Sequence, residues 1–186
     1  AGGGFDMSGN SGGNNTVNHV DRGWVHLAFV RIGKDFAGFY INGVLELTHY
    51  TTTNYAIGES GNLFIGGRNG TADSEYFNGY MDEVRISKSA RYGNFDIPTA
   101  YLSSHQTAGR GKNTLLPHHT VIHISSETAT DGSTTFVDKS GTSIITATNS
   151  ASHEDTYSLP WGNTAIDLSG TKYITAGSYA NWPGNS

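Results

Sequence analysis

The chain has 186 residues, 15% of them charged, and a formal net charge of -5. Phosphate binding needs concentrated Lys and Arg, so this balance argues against a nucleic-acid partner. No apolar run reaches the length of a membrane span, which argues against membrane insertion, and the absence of cysteine excludes a disulfide framework. With 25 Gly and 11% aromatic residues, the composition is typical of an all-β protein with many tight turns.

The first part of the chain predicts short strands and one hairpin. Residues 24–32 are apolar on both alternating faces, which indicates a central strand of a sandwich. Asn42 and Gly43 separate two apolar runs, and this pair strongly predicts a hairpin because both residues tolerate positive φ. Strands are therefore predicted at 36–41 and 44–48, followed by a shorter one at 62–66.

The segment 77–95 begins with an Asn78-Gly79 turn and continues as a strand. Its alternation predicts that Asp82 lies on one apolar face with Tyr80, Val84 and Ile86. Burying this carboxylate without a partner would cost roughly several kcal/mol. We therefore expect the fold to supply a cation, a cluster of backbone N–H groups, or a bulge that re-aims the side chain.

The composition changes after Pro98, where 103–117 is polar and rich in Gly, as in an exposed linker. Apolar alternation then returns. The sequence predicts a first unit at 1–102, a linker at 103–119 and a second unit at 120–186. Strands in the second unit are predicted at 120–124, 134–137, 144–148, 164–168 and 173–175.

Three motifs in the first unit resemble the laminin G-like, pentraxin-related branch of the concanavalin A-like jelly rolls, of the kind found in bacteriophage tail and other virion proteins. They are Trp24-Val25-His26-Leu27-Ala28-Phe29-Val30-Arg31, Phe39-Tyr40-Ile41-Asn42-Gly43-Val44 with Leu63-Phe64-Ile65-Gly66-Gly67, and Gly79-Tyr80-Met81-Asp82-Glu83-Val84-Arg85-Ile86-Ser87. The resemblance implies an antiparallel β-sandwich.

The second unit resembles the opening half of the same family. The matching segments are Val121-Ile122-His123-Ile124, Asp131 to Gly141, Ala165 to Gly170 and Tyr173-Ile174. The resemblance thus implies that the chain holds the C-terminal half of one module followed by the N-terminal half of the next, without the central strands that the family places between them. Three arrangements remain open: a window of a tandem array, subunits that exchange strands, and a permutant that closes on itself.

Catalysis is not expected. Glycoside hydrolases need two carboxylates that flank the scissile bond. Asp82 and Glu83 are adjacent and therefore predicted on opposite faces, and no spaced set of three carboxylates accompanies them. His118, His119 and His123 lack a second ligand group at a zinc-like spacing, and we interpret them as solvated residues.

A structural calcium ion is implied by the resemblance, because many relatives hold one. The matching ligands are Asp82 and Asp138, with Asp131 as a third, since hard cations need several converging oxygen ligands. The alternative is that Asp131 and Asp138 make Asx turns and that Asp82 accepts backbone N–H bonds.

Glycan binding is the other function that the resemblance implies, because sugars stack on exposed aromatic rings. The candidate ligand-binding residues are loop aromatics: Trp161, Tyr157, Tyr179 and Trp182. We predict a non-enzymatic structural or adhesion module of a virion or extracellular assembly, with other copies or modules as partners. The alternative is a calcium-dependent lectin that engages a cell-surface glycan.

Overall fold

The computed structural model describes residues 23–32, 36–50, 62–67, 76–87, 120–127, 129–141, 143–157 and 162–177. Within these ranges the only regular elements are β-strands. No helix in this part of the chain is long and apolar enough to cross a bilayer. The strands are β1 (Leu27–Ile32), β2 (Phe36–Ile41), β3 (Val44–Tyr50), β4 (Leu63–Ile65), β5 (Tyr80–Met81), β6 (Val84–Ser87), β7 (Thr120–Ile124), β8 (Ile145–Thr148), β9 (Ser152–Glu154), β10 (Ala165–Asp167) and β11 (Tyr173–Ala176).

Strands β1, β2 and β3 form one antiparallel sheet in chain order. The predicted hairpin is confirmed: Asn42 and Gly43 have φ angles of +49° and +80° between β2 and β3. Asn42 also anchors the start of β1, because its Oδ1 accepts the His26 N–H at 2.8 Å and its own N–H donates to the His26 carbonyl at 2.8 Å. Local turn chemistry therefore sets the register of this sheet.

The remaining strands build a sandwich. Two three-stranded sheets, β4-β11-β8 and β5-β10-β9, are joined by the two-stranded sheet β6-β7 around one core. Residues from all three sheets form one hydrophobic core: Ile65, Ile122, Ile124, Phe136, Ala151, Ile166, Leu168, Ile174 and Ala176, with Leu63, Met81, Val84, Ile86, Ile145 and Ala147 packed against them. The predicted fold class, an all-β antiparallel sandwich, is confirmed.

The two predicted units supply strands to each other. β4 pairs with β11, β5 with β10 and β6 with β7, and every one of these pairs joins the first unit to the second. The described strands of the two predicted units therefore pair with one another within the chain. The predicted linker, 103–119, lies outside the described residues.

Several predicted strands are confirmed, with boundaries within one or two residues, and Thr120–Ile124 matches fully. Three predictions differ from the structure. The strand predicted at 24–32 begins only at Leu27, and among the described strands it lies at the edge of its sheet and not at the centre. Residues 134–137 form no strand, and the residue that follows them, Asp138, makes an isolated bridge to Ile124 at the end of β7. The short strand β9, centred on His153, was not predicted because its three residues are all polar and show no apolar alternation.

The predicted common face of Tyr80, Asp82, Val84 and Ile86 is wrong. Glu83 has a φ of +52°, and this left-handed residue separates β5 from β6. Because the alternation is reset there, Met81 packs on the core before the break, as Val84 and Ile86 do after it. The same break lets one chain segment pair first with β10 and then with β7.

Candidate functional site

Asp82 lies in the break between β5 and β6. Its Oδ1 accepts the N–H of Glu83 at 2.7 Å and the N–H of Ser126, just beyond β7, at 2.8 Å. Backbone N–H groups and an irregular backbone are two of the three devices that we expected for a partly buried carboxylate. Asp82 therefore joins the first unit to the second through its hydrogen bond with Ser126, which is a structural role.

Further ionisable groups surround this junction. The Glu83 Oε2 lies 3.0 Å from Nε2 of His123, which is fully buried, so the interpretation of His123 as solvated is wrong. Asp82 Oδ2 and Glu127 Oε1 are buried without a hydrogen-bond partner among the described residues. Burial raises the pKa of Asp82 to about 6. The N–H bonds from Ser126 and Glu83 lower this pKa, whereas the charges of Glu83 and Glu127 raise it further. Burial, and then Glu83, also raises the pKa of Glu127.

Asp138 closes the turn that follows residues 134–137. Its Oδ1 accepts the N–H of His123 at 2.8 Å and of Ser140 at 2.9 Å, and its Oδ2 accepts the Ser140 hydroxyl at 2.7 Å. Burial alone would raise the pKa of Asp138, but these hydrogen bonds outweigh it and lower that pKa. Both carboxylate oxygens thus accept hydrogen bonds that hold the turn together and attach it to β7.

Asp131 lies on the surface, in a group with Glu154 and Asp155 whose ligand atoms lie within 4.8 Å of one another. Its Oδ1 accepts the Asp155 N–H at 3.3 Å. Glu154 Oε1 accepts the hydroxyl of Thr156 at 2.7 Å and its N–H at 3.1 Å, and these bonds lower the pKa of Glu154.

The three predicted calcium ligands therefore occupy different places. Among the described residues, Asp131 meets Glu154 and Asp155 and forms no ligand group with Asp82 or Asp138. Calcium takes six to eight oxygen ligands at about 2.3–2.6 Å. In the described part of the chain the three predicted ligands therefore form no common carboxylate group, and the calcium site stays a prediction.

A different site lies on the face of the β5-β10-β9 sheet that carries Tyr80, where Asp167 is only 7% exposed. Asp167 pairs in register with Tyr80 on one side and with Ser152 on the other, so all three share a face. The opposite face, with Ile166, is buried in the core. The Tyr157 ring stacks on Tyr80 with centroids 4.5 Å apart and an interplanar angle of 29°, and Tyr157 is 54% exposed.

Charged groups surround the two rings. Asp167 accepts a hydrogen bond from Lys172 Nζ, with which it forms an ion pair, and another from the Ser169 hydroxyl at 2.5 Å. Burial would raise the pKa of Asp167, but these bonds outweigh it and lower that pKa. Burial, followed by the charges of Asp167 and Glu154, raises the pKa of Tyr80. We call this surface the tyrosine face: Tyr80, Tyr157, Glu154, Asp167 and Lys172.

A buried polar network supports this sheet from the core side. Ser126 Oγ lies 2.5 Å from His153 Nδ1 and 2.8 Å from the Thr164 hydroxyl, and His153 Nε2 lies 3.1 Å from the Thr135 carbonyl. A carbonyl only accepts, so Nε2 carries the proton and Nδ1 accepts from Ser126. All three polar side chains are at most 2% exposed, so this serine-histidine pair is a structural network. Sequence reasoning missed it because its members lie in separate segments.

Of the four predicted ligand-binding aromatics, the structure places Tyr157 in the tyrosine face. Trp161, Tyr179 and Trp182 lie outside the described residues. The partner of Tyr157, Tyr80, was predicted on the wrong face. The position of Tyr80 depends on the positive φ at Glu83, which breaks the alternation. The alternating pattern in the sequence does not reveal this break.

The fold and this face define a β-sandwich module with an aromatic, charged outer surface. Residues 2–93, just under half of the chain, match a laminin G-type family model described as Concanavalin A-like lectin/glucanases superfamily. No significant match was found among curated proteins or among solved structures. The superfamily includes lectins and glucanases, so the match is compatible with both a binding and a catalytic role.

Proposed function

We propose that the chain is a non-catalytic carbohydrate-binding module that uses the tyrosine face. The observation that carries the proposal is the exposed Tyr157 ring stacked on Tyr80 beside Asp167 and Lys172. An exposed ring can cover the apolar face of a sugar, while fixed carboxylates and an ammonium group bond its hydroxyls. A few convergent polar groups beside an apolar surface are typical of ligand sites.

The rigidity of the face favours this role. Tyr80 and Asp167 lie on paired strands, and the buried His153 network supports the sheet from below. A ligand that binds to pre-ordered groups loses less entropy than one that must order them. Asp167 is bonded to Lys172 and Glu154 to Thr156, so hydrogen bonds already fix the positions of both carboxylates. We take this fixed arrangement to favour binding over hydrolysis, which needs two carboxylates that flank the scissile bond.

The test is a screen of immobilised oligosaccharides followed by titration of each hit against Tyr157→Ala. We expect the substitution to weaken binding at least tenfold, because it removes the exposed ring. The matched control is Tyr50→Ala, which removes a more accessible tyrosine, 73% exposed against 54% for Tyr157, from β3. No binding by the wild-type chain, or equal binding by Tyr157→Ala, would refute the proposal.

A chelator arm addresses calcium. The proposal expects binding to persist in EDTA, because the tyrosine face needs no cation. If EDTA abolishes binding and added calcium restores it, the calcium-dependent lectin is the better account, and Asp131→Asn should reproduce the effect of EDTA.

The second candidate is a structural module of an extracellular or virion assembly, with other copies as partners. It is favoured by apolar side chains exposed on the β1-β2-β3 sheet: Leu27, Phe29, Ile32, Val44, Leu45 and Tyr50. Large exposed apolar patches often mark association surfaces. Sedimentation would test it: the wild type should associate at high salt, and Phe29→Ser with Val44→Ser should remain monomeric. Equal sedimentation of both chains would refute it.

A further inference from the structure

The strands β4, β5 and β6 depend on the second unit for their partners. Among the described strands, none of these three pairs with another or with β1, β2 or β3. Each is hydrogen-bonded to one strand of the second unit instead. We call residues 62–67 and 76–87 the arm, and residues 120–177 the body.

The body supplies most of the core. Of its fully buried apolar residues, Ile122, Ile166 and Ile174 come from three strands that each receive one strand of the arm. The arm contributes Ile65 as a buried member and the partly buried Val84 and Ile86. Apolar fit and antiparallel pairing thus specify where the arm docks.

Chain connectivity contributes little to this specificity. β6 and β7 are neighbours in the sheet, yet residues 88–119, 32 in number, separate them in sequence. A tight turn would force the two strands to pair within one chain. A connection of this length can extend for about 100 Å, which is enough to reach a neighbouring molecule.

We infer that the arm is an exchangeable element that docks on the body of a second copy of this chain. All the interactions described for the arm with its own body, the β4-β11, β5-β10 and β6-β7 pairs, form equally well between two copies. A tethered partner has an effective concentration in the millimolar range, so closure within one chain dominates in dilute solution. Exchange dominates where copies are concentrated or where the chain's own arm or body is defective.

Reciprocal complementation between full-length chains tests the inference. The arm variant carries Val84→Asp and Ile86→Asp, and the body variant carries Ile166→Asp and Ile174→Asp. Each places carboxylates in the core, so each alone should lose its near-UV circular dichroism and its cooperative melt. The intact arm of the body variant can still dock on the intact body of the arm variant.

We expect an equimolar, co-refolded mixture to regain about half of the wild-type near-UV signal per chain, with light scattering giving twice the mass of one chain. The matched control mixes the arm variant with a chain that carries all four substitutions, so the mixture offers an intact body but no intact β6. That mixture should regain nothing. A reciprocal mixture that equals the average of its two components, whether soluble or aggregated, would overturn the inference.

Discussion

The β1-β2-β3 sheet and the sandwich bury their apolar residues to different degrees. In the first sheet, the strands follow one another in sequence, and Phe29 remains 46% exposed. In the sandwich, strand partners lie far apart in sequence, and Ile166 and Ile174 are completely buried. Among the described residues, none of the buried apolar side chains of the first sheet belongs to the core cluster of the sandwich. These buried residues are Ala28, Val30, Ala37 and Ile41.

This difference in burial shows that the two regions are held in place by different interactions. Turn chemistry at Asn42 and Gly43 sets the register of the first sheet locally, whereas the sandwich depends on apolar burial between distant segments. We therefore expect substitutions in the two regions to differ in size, and to report on different parts of the molecule.

The largest effect is expected at Ile166, in the middle of β10. Ile166→Ala leaves a cavity beside Met81 and His153, so the free energy of unfolding should fall by about 2–5 kcal/mol. Urea unfolding followed by near-UV circular dichroism measures the change. Phe29→Ala, in the exposed sheet, serves as the control and should change the stability by less than about 0.5 kcal/mol. Equal losses for the two variants would mean that the regions share one core.

The sequence also predicts the two regions to different extents. Alternation and the Asn-Gly turn predicted β2 and β3 well, because their signals are local. Pairing of β5 with β10 could not be predicted, because it depends on the reset of alternation at Glu83 and on contacts between distant residues. Tyr157 was recognisable as a loop aromatic, whereas its stacking on Tyr80 follows from that long-range pairing.

An intermediate effect is expected at Asp82, where the two units meet. The pKa of Asp82 rises from 3.8 to about 6 on folding, so the folded state binds the proton more tightly. Its stabilising contribution is complete below pH 3.8 and is lost as the pH rises through about 6. The loss amounts to up to about 3 kcal/mol, since one pKa unit corresponds to about 1.4 kcal/mol.

Asp82→Asn should remove this loss and raise the stability at pH 7 relative to the wild type. The amide retains an oxygen for the N–H groups of Glu83 and Ser126, and its NH₂ lies near the acidic groups of Glu83 and Glu127. Thermal melts between pH 4 and pH 7 measure the change, with Asp131→Asn on the surface as the control. A variant whose stability falls as steeply as that of the wild type would contradict the proposed role of Asp82. A wild type stabilised by calcium at pH 7 would instead indicate a cation at this carboxylate.

The smallest effect is expected from a pair of asparagines that both adopt positive φ, one in each region. Asn42 lies in the β2-β3 turn with φ +49°, and Asn149 lies after β8 with φ +53°. Replacing either by Ala should cost about 1 kcal/mol, because Ala is less tolerant of this conformation and loses the side-chain hydrogen bond to His26 or Thr171.

Native-state hydrogen exchange separates the effects of the two substitutions. Asn42→Ala should accelerate exchange of the amides of β1, β2 and β3 and leave the core strands β10 and β11 unchanged, whereas Asn149→Ala should accelerate exchange in β8 and β11. If Asn42→Ala lowered protection in β10 as much as in β2, the two regions would unfold as one cooperative unit, and the exposed sheet would owe its order to the sandwich and not to its own turn.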